Sequence, residues 1–266
     1  MSQEKPHQNA ETPDPLRKIE LAPGSAAKHV IAVMSGKGGV GKSSVAALLA
    51  VALRRAGRDV GVLDADITGP SIPRLFGLRG RPRAAQGEGM MPVQTATGIR
   101  VMSINLLLPE EDHPVIWRGP ILSSAAKQFF TDVHWGRLDY LIVDLPPGTG
   151  DVPLTVLQSI PLDGIILVSS PQELALMIVR KAVKMAQALQ VPLIGLVENM
   201  SSLRCPHCGH EVEVFGPGTA AAAASSGAIR FLGRLPLDPE LSAAGDQGGL
   251  ESFTAPWVAD LARWVE

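Results

Sequence analysis

Short, largely apolar segments alternate along the chain with segments that have the composition or spacing of helices. The apolar segments are typical of buried strands and occupy residues 29–34, 58–63, 138–143, 164–170 and 192–199. The helical segments occupy residues 44–53, 123–132, 174–189 and 220–224. Apolar strands that alternate with helices are typical of a parallel sheet covered on both faces. The pattern therefore predicts an α/β fold with a mostly parallel sheet.

Three other regions complete this prediction. Residues 80–105 contain Gly, Pro and short β-prone runs, which predicts a β excursion. Residues 257–265 have helical spacing but a single arginine against Asp260 and Glu266, so we expect a packed terminal helix rather than a membrane-targeting one. Residues 1–27 are polar and lack the apolar core of a secretory signal. We expect a disordered tail there, before one domain at residues 28–266.

Charge and cysteine content argue against several classes of protein. The 266-residue chain is 45% hydrophobic, with 24 basic and 26 acidic residues and a net charge of −2. This balance marks no polyanion-binding surface, so we expect no nucleic-acid partner. No apolar run reaches the ~18–20 residues needed to cross a bilayer, so we expect no membrane partner. Two cysteines cannot build a disulfide framework, which predicts a cytoplasmic location.

Residues 36–43, the phosphate loop, read Gly-Lys-Gly-Gly-Val-Gly-Lys-Ser and lie between a predicted strand and a predicted helix. This is the pattern and the context of a nucleotide-binding loop, so we predict a P-loop NTPase. Lys42 would reach the β- and γ-phosphates of ATP, and the Ser43 hydroxyl would hold Mg²⁺. The predicted nucleotide-binding residues are Gly36, Lys37, Gly38, Gly39, Val40, Gly41, Lys42, Ser43 and Ser44.

Three carboxylates follow predicted strands at the edge where α/β proteins bind ligands. Asp64 and Asp66 come after one strand, and Asp144 comes after four apolar residues of another. Asp144 fits a Walker B aspartate that holds Mg²⁺, although a carboxylate there could instead cap the next helix. We predict that Ser43, Asp64 and Asp144 form the magnesium site. The pattern alone does not separate the roles of Asp64 and Asp66.

A Cys-x-x-Cys motif, the cysteine knuckle of residues 205–208, carries a second chemistry. Cys205 and Cys208 lie close enough on one turn to bind one metal centre. Iron–sulfur clusters usually take four thiolates, so one chain supplies half and a second chain must supply the rest. Zinc is the alternative, bound with His207 and His210 or shared as four cysteines between two chains. A redox-active cysteine pair is also open.

The second lysine of the phosphate loop brings a family into view. Lys-Gly-Gly-Val-Gly-Lys-Ser resembles the deviant Walker A motif of the MinD/ParA/nitrogenase-iron-protein ATPases. The resemblance implies that Lys37 reaches across a homodimer interface to the partner's nucleotide, where otherwise it would be a solvated loop lysine. It also implies that Asp66 orients or deprotonates the attacking water, which makes Lys37, Lys42 and Asp66 the predicted catalytic residues. Asn199 would read the adenine edge, or would be a turn residue.

Longer motifs resemble one branch, the Mrp/ApbC iron–sulfur carrier ATPases, from about residue 28 to about residue 250. They are residues 64–73, 117–120, 144–151, 197–201 and the cysteine knuckle. The branch implies slow, Mg-dependent ATP hydrolysis and a [4Fe–4S] cluster that bridges a homodimer through Cys205 and Cys208. The cluster would be delivered to apoprotein acceptors. The alternative function is a spatial-organiser ATPase of the MinD/ParA type with a structural zinc knuckle.

Overall fold

The computed structural model describes residues 18–84, 89–108, 119–218, 220–226 and 229–266. Its strands are β1 (Ala26–Ser35), β2 (Val60–Asp64), β3 (Arg83–Ala84), β4 (Met90–Met91), β5 (Val93–Gln94), β6 (Arg100–Met102), β7 (Arg137–Asp144), β8 (Gly164–Ser169), β9 (Leu193–Glu198), β10 (Leu203–Arg204), β11 (Glu211–Val212) and β12 (Phe231–Arg234). Its α-helices are α1 (Lys42–Arg55), α2 (Ile72–Leu75), α3 (Gly119–Thr131), α4 (Asp151–Ser159), α5 (Glu173–Ala188), α6 (Ala220–Ser226) and α7 (Pro239–Asp246). Short 3-10 helices span Ile104–Leu106, Leu250–Ser252 and Pro256–Trp264.

Eight strands form the main sheet in the order β12-β9-β8-β1-β7-β2-β6-β5. Strand β5 pairs antiparallel with β6, and the other neighbours in the sheet run parallel. The predicted α/β fold with a mostly parallel sheet is therefore confirmed. From β1 the chain continues to β2, which lies on one side of β1 in the sheet. It later returns to β8, which lies on the other side of β1. Such a reversal opens a crevice at the carboxyl end of β1, where the phosphate loop begins.

Each face of the sheet is covered, because successive side chains of a strand point to opposite faces. Ile31 and Val33 of β1 pack with α1 and the terminal 3-10 helix, whereas Ala32 and Met34 face α3, α4, α5 and α6. Helix α1 is buried along nearly its whole length from Val45 to Leu53. Burial on this scale fixes the start of α1, and hence the phosphate loop, relative to the strand ends.

Contacts with the core begin earlier in the chain than the sequence predicts. Residues 18–25 lie against the domain, and β1 already begins at Ala26. The Ile19 N–H donates to the Ser159 carbonyl at 2.9 Å, and Lys18 Nζ donates to the Leu157 and Ile160 carbonyls. For residues 18–27 the expectation of a disordered tail was wrong, because alternating Ile19 and Leu21 bury apolar surface on the core. Residues 1–17 lie outside the described part.

The terminal segment packs as expected but in a different helical form. Pro256–Trp264 is a 3-10 helix whose Val258, Leu261 and Trp264 are buried against the α1 side of the sheet. Across the described residues, no helix is both long and apolar enough to cross a membrane. The motif residues Trp117 and Arg118 lie outside the described residues.

Candidate functional site

The phosphate loop turns sharply between β1 and α1. Gly39 and Gly41 adopt φ values of +77° and +76°, which L side chains rarely take. Gly41 is the N-cap residue of α1 and provides no side-chain hydrogen bond, so no capping side chain competes with an external acceptor for the first N–H groups of the helix. Val40 is buried in the core and anchors the loop from below. Free N–H groups at a buried helix start form an anion site.

The loop after β7 lies directly beside the phosphate loop. The Gly148 N–H donates to the Ser35 carbonyl at 2.8 Å. At Gly38, a side-chain Cβ would lie 3.8 Å from Pro147 Cγ. These contacts place the predicted Walker B segment against the start of the phosphate loop.

Lys42, Ser43 and Asp144 meet in one hydrogen-bonded group. Lys42 Nζ donates to Asp144 Oδ1 at 2.6 Å, and Ser43 Oγ donates to Asp144 Oδ2 at 2.5 Å. Lys42 is 6% exposed and Asp144 is fully buried. The groups predicted to take phosphate and Mg²⁺ therefore share one acceptor at the carboxyl end of β7. Asp144 does not cap a helix here, because α4 begins only at Asp151.

Burial of two adjacent carboxyls leaves this site short of positive charge. Asp64 and Asp144 are paired across β2 and β7. Burial raises the pKa of Asp64 to about 8, and the neighbouring Asp144 carboxyl adds to the rise. Burial also raises the pKa of Asp144, against the opposing effect of Lys42. A bound cation would favour the ionised form of both carboxyls, and Mg²⁺ prefers hard oxygen donors, so the donor set fits the predicted ion.

Asp64 also shapes the loop that follows it. Asp64 Oδ1 accepts from the Asp66 N–H at 3.2 Å, and its Oδ2 accepts from Ser103 Oγ at 3.0 Å and the Ile72 N–H at 3.3 Å. Both oxygens thus hold residues 65–72 in place. The Ser103 contact was not foreseen, because Ser103 sits in the irregular 80–105 region whose pairing the sequence does not reveal.

Asp66 faces the phosphate loop. Its Oδ2 lies 3.9 Å from Lys42 Nζ, and its Oδ1 accepts from Thr68 Oγ1 at 3.1 Å and from the Gly69 N–H at 3.2 Å. The residue is 7% exposed. A carboxylate held in one orientation beside Lys42 has the geometry to accept a proton from a water near a bound phosphate.

Asn199 contacts the phosphate loop from the other side. Its Nδ2 donates to the Val40 carbonyl at 2.9 Å, so the side chain supports the loop. It also borders a cavity of about 340 Å³. Ser44, Met200, Pro236 and Leu237 are among the lining residues of this cavity. Pro236 and Leu237 were missed from sequence, because the short strand β12 that delivers them gives no periodic signal.

Lys37 extends away from the buried carboxylates. Its Nζ contacts Gln172 Oε1 at 3.5 Å at the surface, and its carbonyl accepts from Ser35 Oγ at 3.0 Å. An exposed ammonium on the rim of the phosphate loop is free to meet a second molecule. The contact is equally compatible with a solvated loop lysine, so its role in a dimer stays a prediction.

The cysteine knuckle sits at the tip of a small antiparallel hairpin formed by β10 and β11. The Cys205 N–H donates to the His210 carbonyl at 2.8 Å, and the Gly209 N–H donates to the Cys205 carbonyl at 2.9 Å. Cys205 is partly exposed and Cys208 is exposed. Hydrogen bonds from the N–H groups of Cys208 and His207 lower the pKa of the Cys205 thiol. The turn therefore favours the thiolate, which is the form that binds metals.

The knuckle does not complete a metal site within one chain. Cys205, Cys208, His207 and His210 are all described, yet no three His, Cys, Asp or Glu side chains in the described part of the chain converge on a metal position. The single-chain zinc alternative is therefore not assembled. A centre shared between two chains, with iron and sulfide or with zinc, stays open.

Comparison with known proteins now decides the family. The model of the NUBPL iron-transfer P-loop NTPases, within the ParA group, matches residues 26–259. The chain belongs to this iron-transfer family. The family predicted from the motifs is thus confirmed.

Relatives of the family cover most of the chain. An iron-sulfur cluster carrier protein of Methanocaldococcus jannaschii is 50% identical over 225 residues, which cover 84% of this chain and 78% of the relative. One of Methanococcus maripaludis is 46% identical over 242 residues, which cover 91% of this chain and 81% of the relative. A nucleotide-binding protein of Archaeoglobus fulgidus, solved in complex with ADP, has a TM-score of 0.78 at 45% identity, covering 87% and 90% of the two chains. The Pyrococcus furiosus cell division ATPase MinD shares the fold, with a TM-score of 0.63 at 19% identity. The match covers 90% of this chain and 98% of MinD.

We expect Gly41→Ala to weaken nucleotide binding severely. The added Cβ would collide with Asn199 Nδ2 and would also occupy a left-handed backbone conformation. Gly57→Ala is the matched control, since Gly57 has φ +82° with open space around it. Both variants carry the backbone strain, but titration with a fluorescent ADP analogue should show the loss of affinity in Gly41→Ala alone. Equal affinities would contradict the role given to this contact.

We expect the Cys205 thiol to react at lower pH than an ordinary cysteine. Its lowered pKa means that thiolate is present below the usual titration range near pH ~8.5. The measurement is the pH dependence of iodoacetamide alkylation in Cys208→Ser, which leaves Cys205 as the single thiol. The same protein in urea is the control. Identical midpoints for folded and unfolded protein would rule out the effect of the turn.

Proposed function

We propose that this chain is an ATP-dependent iron–sulfur cluster carrier that works as a homodimer. Two copies would hold one [4Fe–4S] cluster as cargo and pass it to apoprotein acceptors. The observation that carries the proposal is an exposed half-site of two cysteines on the same chain as a phosphate loop with buried carboxylates. Membership of an iron-transfer family supports it.

The nucleotide would bind across the carboxyl edge of the sheet. Free N–H groups of the phosphate loop and Lys42 would hold the phosphates, while Asn199 would meet the adenine in the adjoining cavity. Ser43, with Asp144 and Asp64, would hold Mg²⁺, whose charge offsets both the phosphates and the buried carboxyls. The raised pKa values of Asp64 and Asp144 support this, because they mark charge that a cation stabilises.

Hydrolysis would depend on Asp66 and on the partner's phosphate loop. Asp66 would take the proton of the attacking water, since Thr68 and Gly69 fix its carboxylate beside Lys42. Lys37 would cross the interface and stabilise charge on the partner's phosphates. Its surface position on the loop rim supports this assignment.

Cluster transfer would be an exchange of thiolate ligands. A two-fold axis brings the same surface of both copies together, so two knuckles can supply the four thiolates that a cluster takes. Acceptor thiolates would then replace Cys205 and Cys208 on the iron atoms, with no net transfer of electrons. The exposure of Cys208 supports a cluster that acceptors can reach.

A MinD/ParA-type switch with a shared zinc is the alternative function. The fold similarity to MinD favours it only at the level of architecture. The packed 3-10 helix at the C-terminus offers no apolar face for a membrane. Zinc bound by reconstituted protein in place of iron and sulfide would favour this alternative.

We expect Asp66→Ala to bind ATP but to hydrolyse it about 100-fold more slowly or worse, as for loss of a general base. Lys42→Ala should lose binding itself, because it removes the ammonium from the phosphate site. The matched control is Asp260→Ala, an exposed carboxylate on the terminal 3-10 helix. Single-turnover hydrolysis of radiolabelled ATP with Mg²⁺ measures the rate. Normal hydrolysis by Asp66→Ala would show that another group activates the water.

We expect anaerobic reconstitution with iron and sulfide to give a dimer with about two iron atoms per chain. Mössbauer and UV–visible spectra should show a [4Fe–4S] cluster in the wild type and none in Cys205→Ser or Cys208→Ser. Sedimentation reports the dimer, and activation of an apo-ferredoxin reports transfer. A cluster on a monomer, or one that survives Cys208→Ser, would contradict the shared site.

A further inference from the structure

Three charged residues, Glu198, Arg234 and Glu213, connect the nucleotide side of the sheet with the hairpin that carries the cysteine knuckle. We call them the charge clamp. Glu198 ends β9, Arg234 ends β12, and Glu213 follows β11 directly. None of them is used in the site described above.

Glu198 is the buried centre of the clamp. Its side chain is fully buried, and its Oε1 lies 2.9 Å from Arg234 Nε. Among the described residues Oε1 accepts no hydrogen bond, so its charge depends on the ion pair. Its Oε2 accepts from the Ala220 N–H at 3.0 Å. Losing the arginine would leave a buried charge without compensation.

Arg234 carries the contact outward to the hairpin segment. Its Nη1 lies 3.4 Å from Glu213 Oε1, and its Nη2 donates to the Gly218 carbonyl at 3.4 Å. Gly218 packs so tightly here that a Cβ would lie 2.5 Å from Arg234 Nη2 and 2.6 Å from Glu198 Cδ. One guanidinium therefore fixes both ends of residues 213–218, the segment that leaves the hairpin.

Glu198 reaches inward to the phosphate loop through its neighbour Asn199. The Asn199 side chain donates to the Val40 carbonyl at 2.9 Å. The Glu198 carbonyl accepts from the Leu235 N–H at 2.8 Å, which ties the next residue of the β12 strand end to the same point. A shift of the phosphate loop would thus move the backbone on which Glu198 sits.

We propose that Arg234 is a positioning residue that couples nucleotide binding to the setting of the cysteine knuckle. Nucleotide would move the loop at Val40, Asn199 would transmit the shift to Glu198, and the ion pair with Arg234 would move residues 213–218 and the hairpin. The chain of contacts is continuous, and packed side chains, hydrogen bonds and ion pairs of this kind are able to carry coupling between sites. The inference rests on the proposed function for its purpose, but not for its test.

The test uses full-length protein without iron and measures how fast N-ethylmaleimide modifies the two cysteines, with and without Mg–ADP. We expect Mg–ADP to change the wild-type rate about fivefold or more, the lower end of typical couplings. Arg234→Gln and Glu213→Gln should bring the ratio close to one, and Arg234→Lys should restore part of it. Arg230→Gln is the matched control, an exposed arginine just before the same strand.

Binding of a fluorescent ADP analogue is measured on each variant. This separates a variant whose cysteine reactivity no longer responds to Mg–ADP from one that no longer binds the nucleotide. Glu213 is exposed, so Glu213→Gln still tests the proposal if Arg234→Gln does not fold. An insensitive wild type, or full sensitivity in both clamp variants with bound nucleotide, would overturn the coupling. A failure to load or transfer a cluster would instead count against the proposed function, because no cluster enters this experiment.

Discussion

The contact between Lys42 and Asp144 is the interaction on which the site depends. Both groups are buried where β1 and β7 end side by side, so each requires the other's charge. Removing one partner of a buried pair typically costs about 3–5 kcal/mol, which is a large part of a domain's stability. The sheet can afford such charge only at its carboxyl edge, where free helix N–H groups and a bound cation can share it. The fold and the chemistry of nucleotide binding therefore both place the buried charges at the carboxyl edge of the sheet.

The cysteine knuckle differs from the buried nucleotide site in its exposure to solvent. It lies on a two-stranded hairpin outside the main sheet, with Cys205 partly exposed and Cys208 exposed. The hairpin's own backbone hydrogen bonds hold the turn that carries the two cysteines, while the proposed function would need both thiols to be reachable from outside.

Much of this arrangement could be predicted from the sequence. The phosphate loop and the ends of β2 and β7 were predictable, because a fixed motif and apolar strands determine them locally. The roles of Ser103, Pro236 and Arg234 were not, because each acts through contacts between segments distant in sequence. Residues 18–25 were misjudged for the same reason: their polar composition hides the few apolar side chains that bind them to the core. Helix α4 and strand β12 were missed because both are short and weakly periodic.

Lys18 gives the segment before β1 a task of its own. Its ammonium donates to the Leu157 and Ile160 carbonyls at the C-terminal end of α4. Helix α4 begins seven residues after Asp144, the last residue of β7. Lys18, which precedes all the sequence motifs, therefore holds the end of the helix that follows the predicted Walker B strand. A shortened protein that starts at β1 would keep every signature motif yet lose this fastening. Boundaries chosen from motifs alone would cut through the domain.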